Sequence, residues 1–189
     1  MTEKQIKREY YKNLRLALTK EETAEKSRLI RENFLSSDIY RRSDTVMIYM
    51  PTGNEADIFS AFEYMLGDNK RVLIPAVTGD DMRAVVIDSS TVFKKGRFNI
   101  PEASEGEYAD PAEIDLIAVP GIAFDRTGGR IGFGKGFYDR FLTGTGAVKA
   151  ALCYNMQITD SVNAEPFDIC MDYIFTETEM IKCIKRDFR

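Results

Sequence analysis

The sequence predicts an α/β fold: a three-layer α/β/α single domain over residues 1–189 with a largely parallel sheet. Three observations predict it. Short, nearly continuous apolar runs mark strands that are buried on both faces. Helical segments fall between those runs, the order that parallel strands joined by crossovers require. Apolar residues make up 44% and charged residues 30% of the 189, which suits one core under a polar surface. No repeat, low-complexity tract or linker divides them.

Two helices open the chain. Thr2 with Gln5, and Thr19 with Glu22, have the capping-box spacing, in which each end satisfies the other's backbone N–H. Between them Ile6, Tyr10, Leu14 and Leu18 recur every fourth residue as one apolar stripe of the kind that helices bury. A β-rich run at 45–50 stops at Pro51. Residues 57–66 read as a helix, 71–75 as a buried strand ended by Pro75, and 83–87 as another strand. Residues 93–111, rich in Gly, Pro and Glu, read as an extended surface loop. Apolar strands follow at 115–120 and 148–154, with a glycine-rich loop and a short helix from about Gly136 to Leu142 between them. The segments just past these strands, at 50–55, 75–76, 120–121 and 154–155, should share one rim. Open α/β sheets collect their ligands there.

Composition removes whole classes of chemistry. The chain has no histidine, which excludes His-ligated zinc, Ser-His-Asp and Cys-His nucleophiles, and imidazole acid–base catalysis. Lys and Arg number 26 against 30 Asp and Glu, a net charge of −4 with no electrostatic case for nucleic acid. Cys153, Cys170 and Cys183 are odd in number and lack a CxxC, so they read as small apolar residues in a reducing cytosol. The charged N-terminal segment has no apolar signal region, and no run reaches the ~18 residues of a membrane span. The expectation is a soluble cytoplasmic protein without a membrane partner.

Residues 124–142, FDRTGGRIGFGKGFYDRFL, are the most informative stretch. They follow a strand and open a helix, so backbone N–H groups and a positive dipole end point outward. Gly132, Gly134 and Gly136 alternate, which lets the main chain approach a phosphate and use positive φ. Arg130 and Lys135 add two positive charges. Neither the Walker A nor the Rossmann spacing fits, and a merely structural turn is the alternative. Asp139, in the first turn of the helix, either complements the helix dipole or holds Mg2+ beside phosphates.

This loop resembles the fingerprint of the 5-formyltetrahydrofolate cyclo-ligase (methenyltetrahydrofolate synthetase) family, P-G-x-x-F-D-x-x-G-x-R-x-G-x-G-x-G-[YF]-Y-D-x-x-L, over residues 120–142. Weaker matches occur in order at Lys4 and Arg8, 54–58, 71–75, 98–102, 166–172 and 176–177. The resemblance implies closure of 5-formyltetrahydrofolate to 5,10-methenyltetrahydrofolate with ATP as co-substrate and Mg2+ as cofactor. It implies catalytic roles for Arg130, Lys135 and Tyr138, and ATP binding by Lys4, Arg8 and the loop Arg130, Ile131, Gly132, Phe133, Gly134, Lys135, Gly136, Phe137 and Tyr138. Folate contacts are implied for Met50, Glu55 and Phe98, and for loop residues 133–137. Phe133 departs from a basic residue in some relatives, and Phe137 from the commoner Tyr.

Asp139 and Asp168 match the family's magnesium carboxylates. Asp172, the competitor for the second, reads more as a strand start before Tyr173 and Ile174. Spacing in the family favours Arg8 over Lys7 for the nucleotide. Taken alone, Glu55 is either a pterin-reading carboxylate or a solvated turn residue, and Phe98 a pterin platform or a core aromatic. The implied partner is a reduced folate; nothing calls for an obligate protein partner. Two other readings differ in class. One is a sugar-phosphate isomerase or acyl-CoA transferase on a similar scaffold; the other is a non-catalytic nucleotide-binding regulator.

Overall fold

The computed structural model describes residues 1–79, 81–96, 101–103, 105–162 and 168–184. Its α-helices are α1 (Glu3–Leu16), α2 (Lys20–Leu35), α3 (Asp38–Arg42), α4 (Phe62–Gly67) and α5 (Phe137–Thr143). The strands run β1 (Thr45–Met47), β2 (Arg71–Thr78), β3 (Asp81–Ile87), β4 (Phe93–Lys95), β5 (Pro101–Ala103), β6 (Tyr108–Ala109) and β7 (Leu116–Val119). They continue as β8 (Ala123–Asp125), β9 (Arg130–Ile131), β10 (Val148–Leu152), β11 (Ile158–Thr159), β12 (Tyr173–Phe175) and β13 (Met180–Lys182).

Eight strands make the main sheet in the order β13-β12-β10-β7-β1-β2-β3-β6. The five from β12 to β2 are parallel, and antiparallel strands finish both edges. Side chains alternate between two fully buried faces. Val46, Val72, Leu116 and Ala150 enter the layer built with Ile30 and Phe34 of α2, Tyr40 of α3 and Met65 of α4. Met47, Leu73, Ile117 and Ala151 enter the opposite layer with Phe141 and Leu142 of α5. Burial on both faces is why these strands carry apolar runs rather than a polar–apolar alternation.

Both capping boxes form as the spacing predicts. The first helix, however, turns the other way. Ile6 is 54% and Tyr10 58% exposed, while Lys4, Lys7, Arg8, Tyr11 and Arg15 face the protein. Only the far end of the apolar stripe, Leu18, reaches the core. The inner face is polar because it closes over a cavity, described below.

Three other expectations shift. β2 continues through Pro75 to Thr78. Leu73 directs its carbonyl to Ile48, so Pro75, of the same parity, points its missing N–H past the end of β1 and loses no ladder bond. The helix expected at 57–66 begins late: Asp57 caps Ser60, a 3-10 turn spans Phe59–Ala61, and α4 follows. The expected loop at 93–111 contains the β4–β5 hairpin and the edge strand β6. A second, three-stranded sheet, β11-β8-β9, stands beside the main one and carries the glycine loop.

Candidate active site

The loop is built around Asp125. At the end of β8 its carboxylate accepts from the Thr127 N–H and hydroxyl, from the Gly129 N–H and from the Val162 N–H. Burial pushes its carboxyl up, but these hydrogen bonds together outweigh it and hold it below the usual range. The turn so fixed returns the chain as β9 and places Arg130. Gly134 (φ 90°) and Gly136 (φ 68°) then adopt left-handed backbone, and Gly136 starts α5. That helix has 7 residues, so the cations and loop N–H groups carry more of the local field than its dipole does.

A cavity of about 670 Å³ opens at the carboxyl ends of β1 and β7, as the rim argument expects. Met50 and Glu55 line it from the segment after β1, Pro120 from the segment after β7, and the stretch from Gly132 to Asp139 from the loop. Lys4, Arg8, Arg130 and Asp168 complete the predicted set around this one space. Ile131 does not line it: its side chain is buried with Ile122, Ala123 and Val162, behind the loop. Tyr154 and Asn155 also stay out of it: the Tyr154 hydroxyl meets the Ser27 hydroxyl at 3.3 Å, and Glu177 takes the Asn155 N–H at 2.7 Å. Phe98 lies outside the described residues.

The cations divide into two kinds. Arg130, 7% exposed, donates to Asp139 Oδ1 at 2.7 Å and to the Pro120 carbonyl at 3.2 Å, with its guanidinium 5.7 Å from the Tyr138 ring centre. Lys4 donates to Asp168 at 2.6 Å. Arg8 instead donates to the Gly132 carbonyl at 2.9 Å, and Lys135 is exposed. Among the described residues, no carboxylate pairs with Arg8 or Lys135. Lys7 points elsewhere, to the Ser161 carbonyl at 2.7 Å and to Glu3, so Arg8 is the cavity residue.

The carboxylates divide as well. Asp139 and Asp168 line the cavity. Asp172 does not; it starts β12, accepts from the Lys149 N–H at 2.8 Å and donates its own N–H to the Lys149 carbonyl. Among the described residues, no three acidic or thiol groups cluster as a complete metal cage. Two hard oxygen ligands beside a space for phosphate still fit Mg2+, which takes one or two protein carboxylates and completes its shell with phosphate oxygens and water.

Glu55 forms the apolar side of the cavity with Met50 and Tyr49. It is 6% exposed. Its Oε2 accepts from the Thr52 N–H and hydroxyl at 2.8 and 3.1 Å. Its Oε1 meets the Arg15 guanidinium only at 3.5 Å and has no hydrogen-bond partner. Burial raises the Glu55 pKa, opposed chiefly by Arg15. Tyr138 is pushed up by burial and then by Glu55, so its hydroxyl stays neutral and can donate, not act as a base. Sequence reasoning missed Arg15. The signal was there: Arg15 lies seven residues after Arg8 and eleven after Lys4, on one helical face.

Known proteins resemble this chain in sequence and in fold. The 5-formyltetrahydrofolate cyclo-ligase family model matches residues 1–177. A Caenorhabditis elegans protein described as a probable 5-formyltetrahydrofolate cyclo-ligase is 28% identical over 194 residues, covering 92% of each chain. The 5-formyltetrahydrofolate cyclo-ligase of Mycolicibacterium smegmatis is 31% identical over 153 residues, covering 75% of this chain and 77% of its own. The NMR structure of Aquifex aeolicus 5,10-methenyltetrahydrofolate synthetase superposes with a TM-score of 0.89 at 32% identity, covering 100% of this chain and 95% of that one. The chain belongs to the 5-formyltetrahydrofolate cyclo-ligase family.

Proposed function

We propose that this chain is a 5-formyltetrahydrofolate cyclo-ligase that forms 5,10-methenyltetrahydrofolate while ATP becomes ADP and phosphate. One observation carries the reading. A buried carboxylate with an unsatisfied oxygen, Glu55, and a glycine loop beside Arg8 and Lys135, which no carboxylate pairs among the described residues, line the same cavity. The first suits the N–H donors of a pterin ring, and the second suits a triphosphate.

The formyl oxygen is a poor leaving group. Its transfer to phosphate, by attack on the γ-phosphorus of ATP, makes it a good one. N10 of the same folate then adds to the activated carbon, its proton passes to the departing phosphate, and the C–O bond breaks to release that phosphate. The nucleophile belongs to the substrate, so the protein has to position two ligands, balance charge and exclude water. A site without histidine is adequate for that. Arg8 and Lys135 would hold the phosphates, Arg130 would face the transferring group, and the neutral Tyr138 hydroxyl would donate to an oxygen beside it. Asp139 and Asp168 would hold Mg2+, which when bound screens the phosphate charges.

The test is near-UV absorbance when the protein, Mg-ATP and 5-formyltetrahydrofolate are mixed. The product's conjugated amidinium absorbs where the substrate does not, so absorbance should grow and require all three components. ATP binding without any absorbance growth would replace this reading with a nucleotide-binding regulator.

A further inference from the structure

Arg15 is a buried cation that does not itself line the cavity. It is placed firmly. The Asn54 amide donates to the Arg15 carbonyl at 3.2 Å and to the Leu18 carbonyl at 3.1 Å, tying the end of α1 to the turn that carries Glu55. The Arg15 guanidinium then lies 3.5 Å from Glu55 Oε1 and 5.8 Å from the centre of the Phe133 ring. Two of the polar atoms in this arrangement, Arg15 Nε and Glu55 Oε1, have no hydrogen-bond partner. The turn already engages Oε2, so Oε1 is the oxygen left for something else.

Whether Oε1 can serve depends on protonation. As a carboxylate, Glu55 only accepts hydrogen bonds; as a neutral acid it also donates one, and it then repels an N–H donor. Burial drives it toward the neutral form, and the opposite charge of Arg15 resists that drive. The other titratable groups facing Glu55 are Tyr49, from the end of β1, and Tyr138, from α5; burial keeps both neutral. Among the described residues, Arg15 is the cation within ion-pair distance of Glu55.

We propose that Arg15 is a positioning residue that keeps Glu55 ionised, with Oε1 left unsatisfied in the cavity wall, and thereby selects ligands that present N–H donors such as the aminopyrimidine edge of a reduced folate. The choice of ligand rests on the cyclo-ligase reading; the control of Glu55 does not.

Two measurements separate these. The first is the titration of the Glu55 carboxyl carbon by 13C NMR without ligand, with Glu55→Gln identifying the signal. In Arg15→Met the midpoint should move up by about one pH unit or more, and in Arg15→Lys it should fall between that and the parent. The second is calorimetric affinity for 5-formyltetrahydrofolate without ATP. Arg15→Met should lose about tenfold one pH unit below its shifted midpoint and regain affinity as pH rises through it, with Arg15→Lys partly restored and ATP affinity unchanged. An unmoved Glu55 midpoint overturns the proposal, as does a loss of folate affinity equal at every pH, which would mark a purely structural role. If Arg15→Met does not fold, Arg15→Lys decides by the same two criteria. A shifted midpoint in a protein whose parent form binds no reduced folate would keep Arg15's control of Glu55 and sink the cyclo-ligase reading.

Discussion

Two buried carboxylates sit in turns after strands, and the protein treats them in opposite ways. Asp125, 1% exposed, has four donors on its two oxygens, and its carboxyl lies below the usual range although burial pushes it up. Glu55, 6% exposed, has two donors on one oxygen and a long ion pair on the other, so burial prevails and its pKa is raised. Equal burial therefore does not mean equal purpose. A carboxylate saturated by its own chain serves the fold. One left with an unsatisfied oxygen beside a cavity is a standing cost to stability that the fold itself does not require.

The contrast should show most strongly at Asp125→Ala. That change leaves three backbone N–H groups and a hydroxyl without their acceptor, and each buried orphan costs about 1–3 kcal/mol, so a total of roughly 3 kcal/mol or more is expected in urea unfolding. The pH dependence has a definite sign. The folded pKa is depressed, so the contribution is complete above the unfolded value near 4 and is lost as pH falls through the folded one. The stability gap between parent and Asp125→Ala should narrow below about pH 4. A constant gap down to pH 3 would mean that ionisation is irrelevant to the turn.

Next in size are changes at the solvent-facing rim. Arg8→Ala and Lys135→Ala should each weaken ATP binding by roughly 1.5–3 kcal/mol, as lost charge-assisted contacts do, with melting temperatures unchanged. Calorimetry in both variants checks this; unchanged affinity would move the nucleotide away from the loop.

A smaller effect sharpens the Glu55 side. Buried ion pairs can be replaced together with little loss, because desolvation offsets their attraction. Arg15→Met combined with Glu55→Gln should therefore stay within about 1 kcal/mol of the parent in urea while losing turnover. Global unfolding of the double variant would place Glu55 with Asp125, as a residue that serves the fold. The smallest change belongs to the exposed stripe: Ile6→Ser and Tyr10→Ser should each shift stability by no more than about 0.5 kcal/mol.

These last residues show where the sequence is legible and where it is not. The glycine loop is local, and its cations, glycines and Asp139 come to one cavity because they are neighbours along the chain. The buried runs at β1, β2, β7 and β10 are legible because burial on both faces leaves a simple apolar signature. Helix α1 offers two stripes at the same spacing. Ile6 and Tyr10 suggest one buried face; Lys4, Arg8 and Arg15 occupy the other. Periodicity alone ranks the apolar stripe first, and only the cavity beneath the helix reverses that order. Strands β8, β9 and β11 have two or three residues each, too few for any period to show. Asp125 stands in the matched loop, but its four donors include Val162, 37 residues away, and that partner is a product of folding.

The rim is closed by residues far apart along the chain. Lys4 meets Asp168 across 164 residues of sequence, and Arg8 meets Gly132 across 124. During synthesis at about 5–20 residues per second, α1 leaves the ribosome roughly 10–30 s before its last partner exists. The Lys4–Asp168 side of the cavity is therefore among the last parts to be assembled, because its closure waits for residue 168. Until then α1 has only its contacts to earlier residues such as Asn54 and Gly132, and a nascent fragment lacking Asp168 has the glycine loop without the complete clamp around it.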